Sequence, residues 1–253
     1  MYYWLETQVE NNYSKIKELF RINGGYITRR QIDSNNIPSW LLTDFVRREH
    51  LQKIDKGFYA DENWLQDDFL IFQYKYPKII YSYESALFLL DMTDNLPANF
   101  EVTGPKNYRP FNPKDSEAIV HADTKDETYN LGITEINTNL GNTVKSYNAE
   151  KTICDLIKRQ DHIDSETFIK ALRNYVKRSD KNTNRLMEYA SIMRITKKVS
   201  DTMMLLMFLS HLRNDEQIKL RWLNYVNKND FTSGIDFNDI MKSCESITEI
   251  LYE

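Results

Sequence analysis

The stretch GGYITRRQIDSNNIPSWLLTDFVRREHLQKIDKGFY, residues 24–59, carries the signals that decide the fold. Thr28-Arg-Arg-Gln31 has capping-box spacing, in which the threonine hydroxyl takes an early amide and the glutamine reaches back. It predicts a short helix that ends at Asn35-Asn36. Pro38-Ser39 restarts a helix, with proline suited to the first turn or serine to the cap, and Trp40 to Glu49 continues it. Leu51 to Tyr59 reads as two short strands around Lys56-Gly57, where glycine supplies the turn's positive φ. Just upstream, Ile16, Leu19 and Phe20 recur at i, i+3, i+4 and Gly24-Gly25 follows, which predicts a first helix over Tyr13 to Asn23. Three short helices followed by a β-hairpin are the plan of a winged helix-turn-helix, whose third helix enters the major groove of DNA.

The third helix divides cleanly at 100° per residue. Leu41, Leu42, Phe45 and Val46 share one side, and Trp40, Thr43, Asp44 and Arg47 share the other, flanked by Ser39 and Arg48. A side chain that reads base edges must be exposed and carry donors. Arg47 meets both conditions, because arginine pairs bidentately with guanine. Thr28, Arg29, Arg30, Lys53 and Lys56 complete the candidate DNA contacts, with the basic residues suited to phosphates. Trp40 is expected to pack against the domain edge beside Pro38, the alternative being contact with a DNA sugar or a thymine methyl. The competing reading of the whole face is ordinary solvated charge on a winged helix used for protein contacts.

Outward from this block the pattern mixes helices and strands. A short apolar helix is expected from Ile79 to Leu90. Strands are expected at Phe100 to Thr103, Ala118 to His121, Gly132 to Asn137 and Thr143 to Tyr147. Helices follow at Ala149 to Lys158, Ser165 to Lys177, Asn184 to Met193 and Lys197 to Leu212, with Asn148 and either Asp164 or Ser165 as caps. Two more are expected at Asp215 to Asn229 and Phe237 to Tyr252. The fold class is therefore α+β: an N-terminal winged helix-turn-helix, then a mixed sheet packed by helices, then a helical C-terminal extension.

The net charge of −4 over 253 residues conceals alternating blocks: +2 for residues 1–60, −8 for 61–150, +6 for 151–200 and −4 for 201–253. Phosphate attraction decays over about 8–10 Å, so a basic face matters more than the global balance. In the third block Lys170, Arg173 and Lys177 recur at i, i+3, i+7 as a basic stripe, which Arg178 and Arg185 extend. That stripe reads as a solvated face, as a second positive surface for DNA or an acidic partner, or as a partner of the chain's own acidic middle.

Two cysteines, Cys154 and Cys244, exclude a disulfide framework and a four-thiolate zinc site and point to a reducing cytoplasm. No apolar run reaches the roughly 18 residues of a membrane span, and the aromatic, acidic Met1 to Gln8 does not read as a signal peptide. His50, His121, His162 and His211 lack ligand spacing, so neither a metal nor another cofactor is expected. There is no Walker loop, no G-x-S-x-G elbow and no H-E-x-x-H. Nucleotidyl transfer needs a Gly-Ser pair and closely spaced aspartates, and neither occurs. Glu84, Glu101, Asp123 and Glu135 with Lys125 match a metal-dependent nuclease only loosely. An enzyme is not expected.

Gly25-Tyr-Ile-Thr28, Ile37, Leu51-x-x-Ile54-x-x-Gly57-Phe-Tyr59, Tyr81-Ser-Tyr-Glu-Ser-Ala-Leu87, Leu96-Pro97 and Val144-Lys-Ser-Tyr-Asn-Ala-Glu-Lys-Thr-Ile-Cys-Asp-Leu156 follow one another in an informative order. In order and spacing they resemble the AbiEi antitoxin family, over roughly residues 13–210. The resemblance implies the antitoxin of a type IV toxin–antitoxin pair, encoded beside a nucleotidyltransferase toxin and associated with abortive phage infection. It implies a winged helix that represses its own operon at inverted repeats upstream, and a C-terminal domain that counteracts the toxin without a stable complex. The corresponding division is residues 1–78 for DNA binding, 79–210 for antitoxicity and 211–253 as an extension. In that extension Gln217 to Val226, with Arg221-Trp222, and then Asp236-Phe237 are similar to the C-terminal end of the toxins, which implies a fusion remnant; an added helical pair is the other reading. A winged-helix regulator without a toxin, its C-terminal half oligomerising or sensing a ligand, is the alternative function.

Overall fold

A computed structural model describes residues 2–108, 118–122 and 126–211. The chain divides into two compact units, residues 1–199 and 200–253. The expected helices at Asp215–Asn229 and Phe237–Tyr252, with Cys244, lie outside the described residues.

The N-terminal part runs α1 (Tyr2–Ile22), β1 (Tyr26–Thr28), α2 (Arg29–Ser34), α3 (Ser39–Arg48), β2 (Gln52–Asp55) and β3 (Phe58–Ala60). This is the element order of a winged helix-turn-helix, with an antiparallel sheet in the order β1-β3-β2. Helix α1 begins well before Tyr13, and its second half carries the core residues Ile16, Leu19 and Phe20. It stops where Gly24 and Gly25 take φ of +70° and +105° and the Gly25 amide donates to the Phe20 carbonyl. The Thr28 capping box forms as expected. Pro38 rather than Ser39 is the cap residue of α3, and it gives no side-chain hydrogen bond. Ile16, Ile27, Ile32, Ile37, Leu41, Leu42, Phe45 and Leu51 form one buried cluster that locks the three helices together. Such a cluster is what lets α3 present a fixed outer face.

The hairpin is anchored as firmly as the helices. Gly57 has φ of +76°, and its carbonyl accepts from the Arg29 amide at 2.7 Å and from the Tyr74 hydroxyl at 2.8 Å. A Cβ at Gly57 would stand 2.9 Å from the Arg29 Cβ and 3.0 Å from that hydroxyl, so glycine is required sterically as well as conformationally. Tyr74 lies on α4 (Asp68–Lys75), a helix the sequence reading does not anticipate, capped by Asp67.

The remaining elements of the first unit build a five-stranded mixed sheet. They are β4 (Ile80–Tyr81), α5 (Tyr83–Leu89), β5 (Phe100–Gly104), β6 (Ala118–Ala122), α6 (Asp126–Asn130), β7 (Ile133–Asn137) and β8 (Thr143–Tyr147). Helices α7 (Ala149–Lys158), α8 (Ser165–Lys177), α9 (Thr183–Ile192) and α10 (Thr196–His211) follow, with a 3-10 turn at Gln160–His162. The strand order is β6-β5-β4-β8-β7, with β4–β8 and β5–β6 parallel and the other two pairings antiparallel. The single helix expected over Ile79 to Leu90 is corrected here: Ile80 and Tyr81 form the central strand, Ser82 is extended, and only then does α5 begin. Both strand residues are buried under neighbours on either side, so tertiary pairing overrides the helical reading of the apolar run.

Helix α7 lies at the centre of the helical layer, packed by α5, α8 and α9, and every residue from Ala149 to Ile157 is buried. Burial includes charge. Lys151 Nζ stands 2.7 Å from both carboxylate oxygens of Asp155 and 4.4 Å from the centre of the Tyr147 ring. Burial also pushes the Cys154 thiol up to about 12, so this cysteine is an inert core residue.

Candidate nucleic-acid interface and neighbouring polar clusters

Helix α3 buries Leu41, Leu42 and Phe45, half-buries Val46, and leaves Ser39, Trp40, Thr43, Arg47 and Arg48 exposed. Trp40 is 55% exposed, which corrects the expectation that it packs at the domain edge. The buried arc of α3 joins Ile37 and Leu51 in the core, and the indole lies opposite that arc. Trp64 shows the contrast, since it lies against the Tyr26 and Phe58 rings at 5.6 and 5.5 Å.

Asp44 organises the face. Its two carboxylate oxygens accept from Arg47 Nη2 and Arg48 Nε, each at 2.7 Å. The Arg48 guanidinium also sits 5.6 Å from the centre of the Tyr13 ring on α1. Arg48 is therefore held at two points, whereas Arg47, 80% exposed, is held at one, through its guanidinium Nη2. Thr43 donates weakly to the Ser39 carbonyl, at 3.5 Å.

The other candidate contacts separate by role. Thr28 is 5% exposed and its hydroxyl donates to Gln31 Oε1, so it is a capping residue turned away from any ligand. Arg29 is exposed and paired with Asp33 at 2.7 Å, while the Arg30 guanidinium lies 4.4 Å from the centre of the Tyr74 ring. Lys53 on β2 and Lys56 at the hairpin turn are exposed.

The basic stripe of α8 does not stand as one free surface. Lys170 meets Asp94 at 2.9 Å, a partner from the acidic middle of the chain. Arg178 donates to the Leu90 carbonyl at 2.6 Å and pairs with Asp180 at 2.8 Å, fastening the end of α5. Arg185 approaches the buried Glu150 at 3.7 Å. Arg173 is half-buried and Lys177 exposed.

One polar cluster has no counterpart in the sequence reading. Tyr83, Glu84, Glu101, His121, Leu156, Arg159, His162, Ile163 and Asp164 line a small cavity of about 80 Å³. Arg159 Nη1 contacts His121 Nδ1, and His121 Nε2 faces Glu101 Oε1 at 3.5 Å. The other Glu101 oxygen accepts from the Glu84 amide at 2.9 Å. Tyr83 sits in the left-handed region at φ of +47°, a strained position for a tyrosine, with its ring 4.1 Å from that of His121. Of the loosely matched nuclease set, this brings Glu84 and Glu101 together. Glu135 stands on β7 at the opposite edge of the sheet from His121, and Asp123 and Lys125 lie outside the described residues. No fixed spacing signals the cluster, because its members come from α5, β5, β6 and α7 and meet only when the sheet forms.

Burial, and then the neighbouring Glu101 and Asp164 carboxylates, hold the Glu84 carboxyl above its usual range. A raised carboxyl favours the folded state only at pH below its unfolded value of about 4.3, and that contribution is lost as pH rises through the folded value. Glu84→Gln is therefore expected to raise the urea midpoint at pH 7 by a small amount, under about 1 kcal/mol because the group is partly solvated. The gain should vanish near pH 4. Equal midpoints for variant and wild type at pH 7 would refute the assignment.

Among the described residues no helix is long and apolar enough to cross a membrane, and no three His, Cys, Asp or Glu side chains converge as metal ligands would. No family model matches the chain, and no curated protein matches it. Among solved structures, the crystal structure of the RV2827C protein from Mycobacterium tuberculosis is similar over 70% of this chain and 69% of that chain, at 15% sequence identity and a TM-score of 0.42.

Proposed function

We propose that the protein is a cytoplasmic DNA-binding autorepressor that also serves as the antitoxin of a type IV toxin–antitoxin operon. The observation that carries the DNA-binding half is the outer face of α3, where the exposed Arg47 shares a line with Trp40 and Thr43 and its guanidinium is oriented through Nη2 by Asp44. A guanidinium projecting from a rigid helix on a buried three-helix core has the geometry for bidentate contact with guanine O6 and N7. The exposed Lys53 and Lys56 in the following hairpin suit phosphates, which position the protein without reading sequence. The antitoxin half, directed against a nucleotidyltransferase toxin without a stable complex, rests on the resemblance to the AbiEi family over residues 13–210. The reading assigns no catalytic step, cofactor or membrane partner. Ligand sensing by the C-terminal half gains nothing from the 80 Å³ cavity, which is well below the roughly 300 Å³ at which small-molecule sites begin.

The test is fluorescence anisotropy of the whole protein on the duplex immediately upstream of its own gene and on a scrambled duplex, at several salt concentrations. Preferential, salt-sensitive binding to the upstream duplex is expected. Equal or absent binding to both would overturn the autorepressor reading.

A further inference from the structure

Trp40 and Arg47 are seven residues apart on α3, so they fall within about 20° of each other on the helix surface. Both point away from the arc of Leu41, Leu42 and Phe45 that fixes the helix. An isolated exposed leucine such as Leu65 needs no explanation on a protein surface, since many apolar atoms face water. A tryptophan aligned with the base-reading arginine is a different case, because its large apolar surface sits where a bound duplex would cover it. The opposite side of α3 is the one that packs into the core.

The major groove offers one apolar group to such a side chain, the C5-methyl of thymine. We propose that Trp40 reads a thymine by packing its indole on that methyl while Arg47 reads a guanine along the same line. This rests on the DNA-binding reading above and adds a sequence requirement to it. Seven residues of α-helix advance about 10 Å, and base pairs are spaced about 3.4 Å apart, so the thymine and the guanine lie about three base pairs apart in each half-site. Thr43 falls between the two along the helix, and its short side chain leaves room for the intervening pairs. Arg48, tied to both Asp44 and the Tyr13 ring, is left to the phosphates.

The experiment replaces each thymine of the upstream duplex singly with deoxyuridine, which removes only the methyl, and each guanine singly with 7-deazaguanine, which removes only the N7 acceptor. Wild type, Trp40→Ala and Arg47→Ala are titrated on every duplex. The expected result is one thymine per half-site at which deoxyuridine weakens wild type about fourfold, the effect of burying one methyl. Trp40→Ala should be indifferent to that substitution, and the guanine sensed by Arg47 should lie about three base pairs away. The variant removes an exposed side chain, so its melting temperature should match wild type. If wild type is insensitive to every deoxyuridine, or Trp40→Ala keeps the same thymine dependence, the methyl-reading role is wrong while Arg47-dependent operator binding stands. If wild type shows no preference for the upstream duplex at all, both readings fall together.

Discussion

Lys151→Ala is expected to destabilise the protein by about 3–5 kcal/mol, the usual cost of stranding one member of a buried ion pair. Lys151 and Asp155 are respectively 2% and 8% exposed, and the lysine makes a short contact to each carboxylate oxygen from one helical turn away. Removing the ammonium leaves a carboxylate inside the most buried helix of the fold, with water excluded by α5, α8 and α9. The cavity left by the four-carbon stem and the lost contact of the ammonium with the Tyr147 ring add to the loss. For a unit of this size the loss corresponds to a fall in Tm on the order of 10 °C. The double replacement Lys151→Met with Asp155→Leu should recover most of it, because similar volume returns without charge to desolvate. Thermal and urea unfolding of both variants provide the check. A single-variant loss below about 1 kcal/mol would mean that solvent reaches the pair, contrary to the burial described.

The same helix shows what the sequence conveys and what it withholds. Ala149 to Lys158 is legible to the residue, because Asn148 is a good cap and a charge follows the last apolar position. The burial of Glu150, Lys151 and Asp155 is not legible: charged residues at those positions imply a wet face, and only the assembled layer of helices covers them. The N-terminal block is read well for the complementary reason. Its determinants are local: a capping box, a Gly-Gly stop and a glycine turn whose geometry is set within a few residues. Long-range features escape. Strand β4 is two residues long and exists because β5 and β8 hold it from either side, and α4 shows almost no segregation of its apolar residues between faces. At the interface, periodicity separates inner from outer residues of α3 correctly. It does not show that Asp44 clasps two arginines, since that is a fact about partners rather than positions.

The clasp leads to the second large effect. Arg47→Ala is expected to weaken specific operator binding by about 1–3 kcal/mol and to relax discrimination at one guanine, leaving non-specific binding nearly intact. Lys56→Ala, by contrast, should weaken binding to all sequences alike and flatten the salt dependence by about one charge. Asp44→Asn separates orientation from charge. It leaves one neutral acceptor where two charged oxygens held the arginines and removes a negative group from a surface proposed to approach phosphate, so affinity for scrambled duplex should rise while preference for the operator falls. Anisotropy titrations of the three variants on upstream and scrambled duplexes distinguish these outcomes. Operator binding by Arg47→Ala at wild-type strength would place base readout elsewhere, and a parallel loss on both duplexes would reduce Arg47 to a phosphate contact. Because toxin antagonism is proposed for the other part of the chain, Arg47→Ala and Lys56→Ala should both still rescue growth in cells expressing the proposed partner toxin. Rescue lost along with operator binding would show that neutralisation also runs through α3 and the hairpin, and the division of labour between the two parts would have to be abandoned.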